Sequence, residues 1–150
     1  MPQCETRYFG TVSYDPQSVI TFSAGLPAFE HCRCFLPIED AARQPFIFLQ
    51  SLEDPHLCFL TLPVAMLDRG YQLKVSVDDL ATIGLEKSLA AGTDLRCLAV
   101  VSFSPEGAAT ANLLAPIIVN AVTRQAVQAV RDDSVYSSCH ALTPEAASCS

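Results

Sequence analysis

Leu95-Arg96-Cys97-Leu98-Ala99-Val100-Val101-Ser102-Phe103 is nearly unbroken in apolar character, and the turn-forming Ser104-Pro105-Glu106-Gly107 closes it. A run this short, rich in β-branched residues and bounded by proline and glycine, reads as a strand buried on both faces. The sequence on either side has the same texture. Downstream, Ala111–Leu114 and Ile117–Val122 read as strands around Pro116, which lacks a backbone donor and marks an edge or bulge, and Ala126–Val130 reads as the last strand. Upstream, Thr6–Tyr14, Val19–Phe22 and Cys34–Ile38 have strand character, and Pro45–Leu52 and Leu57–Leu62 form a hairpin about the turn Glu53-Asp54-Pro55. Tyr71–Val75 alternates apolar and polar residues as a half-buried strand does.

Helical signals are few. Pro63–Leu67 suits a single turn with proline first. Ser76 precedes Asp79 by the spacing of a capping box, Leu80 and Ile83 supply a short apolar face, and Gly84 stops the helix. Leu85–Ala91 suits a second helical turn. No long helix separates the strands, which argues against a doubly wound α/β sheet. The expected fold is therefore mostly β: a compact, barrel-like antiparallel domain with one or two short helices. It is expected to occupy residues 1–142 as a single domain, with 143–150 as a disordered tail.

The 150 residues suffice for one domain that buries roughly two-thirds of its unfolded surface. Half are hydrophobic and only 17% are charged, which excludes a disordered chain. The longest apolar run, Leu113–Val119, contains a proline and is far short of the about 20 residues a membrane span needs. Met1-Pro2-Gln3-Cys4-Glu5 does not read as a signal peptide, so a cytoplasmic protein is expected. The net charge is −7, divided −3 and −4 between the halves, with no basic patch to displace counterions from nucleic acid. An acidic surface suits a basic partner.

The chemistry-bearing residues do not assemble into a catalytic pattern. The seven cysteines, Cys4, Cys32, Cys34, Cys58, Cys97, Cys139 and Cys149, are odd in number and are expected as reduced thiols, with Cys58 and Cys97 as small core residues. His31-Cys32-Arg33-Cys34 and His56-Leu57-Cys58 lack the paired spacing by which zinc ligands converge on a tetrahedron. Cys139 and His140 are adjacent, and neighbours on a strand point to opposite faces, which counts against a nucleophile–base dyad. No glycine-rich phosphate loop occurs. The alternatives left standing are a thiol- or zinc-dependent enzyme using Cys32, Cys34 or Cys139, and a β-barrel holding a small ligand. Asn112 and Asn120, flanking the Leu113–Val119 run, are expected to bond backbone at bends.

Several motifs occur together in a characteristic order. They are Tyr8-Phe9-Gly10, Ile20-Thr21-Phe22, Gly25-Leu26-Pro27, Phe29-Glu30, and Phe48-Leu49-Gln50-Ser51-Leu52-Glu53-Asp54-Pro55. Asn112-Leu113-Leu114-Ala115-Pro116-Ile117-Ile118-Val119-Asn120 follows, then Thr123-Arg124 and Asp132-Asp133-Ser134-Val135-Tyr136-Ser137. This series resembles the flagellar assembly factor family FliW. Ala28 departs from it, standing where a glycine is usual, as do Ser23-Ala24, Cys139 and Ala141.

The resemblance implies a non-enzymatic regulator without cofactor or metal. Such a protein binds CsrA, a small basic RNA-binding translational repressor, relieving repression of flagellin translation. It also binds flagellin, and switches between the two partners. No direct nucleic-acid or membrane contact is implied. Gln50, Glu53, Asp54, Asp132 and Asp133 are the expected polar partner contacts. Asn112, Pro116 and Asn120 are the expected structural supports of that surface.

Overall fold

The computed structural model describes residues 1–85 and 94–142. Eleven strands and one α-helix follow in chain order: β1 Gln3–Thr6, β2 Gly10–Ser13, β3 Ile20–Thr21, β4 Cys34–Ile38, β5 Ile47–Ser51, β6 Cys58–Pro63, α1 Val77–Thr82, β7 Leu95–Phe103, β8 Ala109–Ala111, β9 Ile117–Asn120, β10 Gln125–Gln128 and β11 His140–Ala141.

Strands β3, β4, β5, β6, β7, β9 and β10 close into a ring. Every neighbour in that ring is antiparallel except β10 and β3, which meet in parallel at Gln125↔Thr21. The exception is forced: strands of alternating direction cannot close a ring with an odd number of members. The fold is thus the mostly-β barrel with one short helix that the sequence implies, antiparallel at every seam but one.

The nine-residue β7 organises the rest. Along one edge its first half pairs with β9, Leu95↔Asn120 to Leu98↔Ile117, and its second half with β8, Val101↔Ala111 to Phe103↔Ala109. The chain therefore runs once down a single edge of β7, interrupted only at Asn112–Pro116. The strand expected over Ala111–Leu114 is in fact the end of β8 followed by this bend. Asn112 Oδ1 accepts from the Leu114 and Ala115 amides, both at 3.0 Å, and Pro116 enters β9 fully buried. Proline needs no ladder partner at such an entry.

Inward-facing Ile20, Phe22, Phe35, Leu49, Leu98 and Ile117 fill the barrel. Phe22 and Phe35 meet edge to face with centroids 5.4 Å apart. Each such side chain, fully buried, contributes about 1.5–3 kcal/mol. A second cluster around Leu62, Val64, Ala99 and Leu113 packs outside the barrel wall, and a third around Ile83, Ile118 and Val127 seats α1. Ser76 Oγ accepts from the Asp79 amide at 3.1 Å, and Gly84 leaves the helix at φ +85°.

Other expectations need correction. Thr6–Tyr14 is not one strand but the hairpin β1–β2. Thr6 Oγ1 accepts from the Phe9 amide at 2.8 Å, and Gly10 at φ +66° makes the reversal. Tyr71–Val75 is extended without ladder partners; Leu73 and Val75 pack on the third cluster. β11, unanticipated, pairs with β8. The turn expected over Leu85–Ala91 falls almost wholly on residues 86–93, and the expected tail on 143–150, both outside the described residues. No helix is long and apolar enough to cross a membrane among those residues.

Candidate functional site

β6 and β7 are paired only from Pro63↔Leu98 to Thr61↔Val100. Beyond Val100, β7 follows β8 outward while Cys58–Leu60 stay with β5. The two strands splay, and a groove of about 530 Å³ opens between them. Phe48, Cys58 and Leu60 form one wall, Val101 and Phe103 the other, and Tyr8 of the β1–β2 connection overhangs. Tyr8 is 61% and Phe103 62% exposed. Large apolar side chains gathered in an open groove mark a surface for another molecule more often than for solvent.

The overhang is anchored. The Arg7 amide donates to the Pro55 carbonyl at 3.0 Å, and Phe9 packs edge to face on Phe48 with centroids 5.1 Å apart. Burial pushes the Cys58 thiol up to about 11, so it lines the groove as a neutral group.

Sequence reasoning missed these groove residues. Phe103 ends an apolar strand and Tyr8 sits inside an apparent one, so neither stands out. Continuing the β6–β7 register would set Leu60 and Cys58 opposite Val101 and Phe103, yet the ladder stops at Thr61↔Val100, and no local sequence pattern signals that stop.

The residues expected to meet a partner are placed differently. Gln50 is fully buried, which corrects its reading as a contact. Its Nε2 donates toward the Ser51, Asp54, Pro55 and Leu57 carbonyls at 3.1–3.4 Å, knitting the β5–β6 turn. Glu53 is exposed, but its carboxylate accepts from the Arg33 amide at 2.9 Å and the Cys34 amide at 3.1 Å. Asp54 is half-buried and Oδ1 accepts from the His56 amide at 2.9 Å.

Asp132 and Asp133 form a separate group. Asp132 pairs with Lys74 at 2.7 Å, and Asp133 with Arg131. The Arg131 side chain, only 5% exposed, lies over the Tyr71 and Tyr136 rings at 5.5 and 4.8 Å. It also donates to the Gln72 carbonyl, while the Gln72 amide donates to the Tyr136 hydroxyl at 2.9 Å. This cage fastens the extended Tyr71–Val75 segment that lacks a strand partner. Asn120 Oδ1 accepts from Val122 and Thr123 amides, and Nδ2 donates to the Ile83 carbonyl at 2.8 Å, so it joins the barrel to α1.

Among the described residues no three His, Cys, Asp or Glu side chains gather as a metal site. Cys4, Cys32, Cys34, Cys58, Cys97 and Cys139 are free thiols. Cys32 is fully buried in the barrel core, away from any solvent-borne substrate.

Closed barrel, splayed seam and apolar groove together define a small β-barrel domain with an open apolar groove on its outer wall. A profile of the family described as "FliW protein" matches residues 3–142, and the chain belongs to that family. It is 32% identical over 136 residues to the flagellar assembly factor FliW of Syntrophotalea carbinolica, covering 89% of this chain and 93% of that one. It is 33% identical over 146 residues to the flagellar assembly factor FliW of Treponema pallidum, covering 97% and 94%. A solved structure, the crystal structure of the flagellar assembly factor FliW, superposes with a TM-score of 0.82 at 24% identity, covering 96% of this chain and 99% of that one. That likeness bears on the fold.

Proposed function

We propose that this protein is a flagellar assembly factor acting in the cytoplasm by binding other proteins, without catalysis of its own. Its partners are a CsrA-type RNA-binding repressor and flagellin, and exchange between them relieves repression of flagellin translation. The groove between β6 and β7 is the observation that carries the reading: Tyr8, Phe48, Leu60 and Phe103 offer a desolvatable apolar centre of the kind that dominates protein interfaces. Glu53 and Asp54 lie in the same turn as Pro55, whose carbonyl anchors the Tyr8 overhang, and their negative charge suits a basic partner.

The test is titration of the protein into a CsrA–RNA complex, followed by calorimetry and RNA release. Micromolar or tighter binding is expected, weakening as salt is raised. Tyr8→Ser with Phe103→Ser is expected to weaken it about tenfold or more while leaving the far-ultraviolet spectrum unchanged. Absence of heat and of co-elution at low salt would refute the reading. Charge reversal is a poorer probe at Glu53 than at Asp54, because Glu53→Lys also strips two backbone amides of their acceptor.

A further inference from the structure

One end of the barrel is open. A cavity of about 180 Å³ lies there, walled by Ile20, Ile47, Leu49, Leu98 and Val119. At about 30 Å³ for each water-sized group it has room for roughly six. The walls are the inward faces of β3, β5, β7 and β9. The rim is polar. Arg96 precedes inward-facing Leu98 by two residues on β7, so strand alternation puts it on the same side, at the lip. Glu39 follows β4 at the lip, and Arg124 reaches in from the β9–β10 turn.

Arg124 is held there at some cost. Its backbone sits at φ +62°, a region that favours glycine. Its amide donates to the Asn120 carbonyl at 2.8 Å, and its carbonyl accepts from the Thr21 amide at 2.9 Å. One guanidinium nitrogen donates to the Ser18 carbonyl, but Nε is buried without a hydrogen-bond partner. A buried, unmatched donor is rare in folded proteins and asks for an acceptor. Among the described residues no ion pair engages Arg96, Arg124 or Glu39. In a chain of net charge −7, two guanidinium groups converge on an apolar well.

We infer that this barrel mouth binds a short branched aliphatic monocarboxylate, its hydrocarbon against Ile20, Ile47 and Leu98 and its charge between Arg96 and Arg124. Guanidinium groups match carboxylate oxygens in geometry as well as charge. Glu39 leaves the rim with a net single positive charge, which suits one carboxylate and disfavours two. A second cavity of about 440 Å³ shares Glu39, Ile47, Arg96 and Leu98 and runs on past Pro63 and Leu95. The same carboxylate chemistry can therefore arrive as a free acid or as the C-terminal residue of a polypeptide lying along that channel.

The probes are 4-methylpentanoate, its neutral amide, and acetyl-glycyl-glycyl-leucine with a free or an amidated C-terminus, titrated by calorimetry and by amide NMR. Saturable shifts at Ile20, Leu98 and Val119 are expected with the carboxylates, and affinity about tenfold weaker for the amides or for Arg96→Gln, the loss of one charge-assisted hydrogen bond. Glu39→Gln is expected to tighten binding. Stronger binding of the free acid assigns the site to a small metabolite, and stronger binding of the peptide acid assigns it to a chain terminus; either supports the inference. Equal binding of acid and amide, no shifts at the mouth, or indifference to Arg96→Gln with the fold intact would overturn it.

Discussion

Arg131 and Asp133 are joined by two parallel hydrogen bonds of 2.9 Å, from Nε and Nη2 of the guanidinium to the two oxygens of the carboxylate. The arginine is nearly buried between tyrosine rings, so its charge has this one carboxylate as its fixed counterpart. Hydrogen bonding to Arg131 holds the Asp133 carboxyl below its ordinary value of 3.8, and Lys74 does the same for Asp132.

That pairing predicts an acid-labile fastening of the Tyr71–Val75 segment. Unfolded, both carboxyls titrate near 3.8; folded, they titrate lower. Their contribution is whole above 3.8 and is lost as the pH falls through the lower folded values. Asp133→Asn should lower the denaturant midpoint at pH 7, and the gap from the parent protein should narrow as the pH is taken from 4 toward 2. A gap independent of pH would show that the charge is not what holds Arg131.

Ala28 predicts a stabilising substitution. The Phe29 amide donates to the Leu26 carbonyl at 2.9 Å around Pro27-Ala28, and Ala28 stands at φ 71°. This is a turn with proline in its first central position and a left-handed residue in its second, where glycine avoids a Cβ clash. Ala28→Gly removes that strain of about 1–2 kcal/mol and gives back part of it in unfolded-chain entropy. A net gain of about 0.5–1 kcal/mol is expected in chemical denaturation.

The thiols predict a reactivity order. Burial pushes Cys58 up to about 11 and Cys97 up to about 12. Thiolate is the nucleophile, so iodoacetamide at pH 8 should label exposed Cys139 well before either, with the sites read by mass spectrometry. Raising the pH to 10 should bring Cys58 into reach. A partner seated in the β6–β7 groove should then shield Cys58 and leave Cys139 unaffected; equal labelling of Cys58 with and without partner would move the interface elsewhere.

The parts of the fold legible in the sequence are those written in local chemistry. β7 shows as an apolar run ending in a proline–glycine turn, the β5–β6 hairpin as two apolar segments about Glu53-Asp54-Pro55, and α1 as Ser76, Asp79 and Gly84 in their capping places. What stayed hidden depends on distant pairing. Alternation in Tyr71–Val75 reports one buried face, and that face is covered by Arg131 and Tyr136 at Tyr71 and by the Ile83, Ile118 and Val127 cluster at Leu73 and Val75, with no strand paired alongside. The break in Thr6–Tyr14 was signalled by Gly10 inside a strand pattern. The parallel β3–β10 seam follows from the number of strands in the ring, which no single segment records. The groove follows from where the β6–β7 ladder stops, at Thr61↔Val100, and Gln50 reads as a surface amide until the four carbonyls around it are in place.

Asn120 was legible as a bend residue, and its geometry predicts how it fails. Oδ1 accepts two backbone amides, and Nδ2 gives the Ile83 carbonyl its hydrogen bond at 2.8 Å, all at a residue only 3% exposed. Asn120→Asp keeps the acceptor but turns the donor into a second acceptor facing that carbonyl. At pH 7 the variant must either bury a carboxylate against a carbonyl oxygen or take up a proton, a cost of about 2–4 kcal/mol. A protonated carboxyl restores the donor, so the folded form of the variant titrates above the unfolded form. The penalty is therefore largest at neutral pH and shrinks as the pH falls toward and below the ordinary aspartate range near 3.9. Denaturant midpoints across pH 4 to 8 check this. A penalty that stays constant over the range would mean that Nδ2 contributes no hydrogen bond of consequence, and that α1 is seated by Ile83 and its apolar neighbours alone.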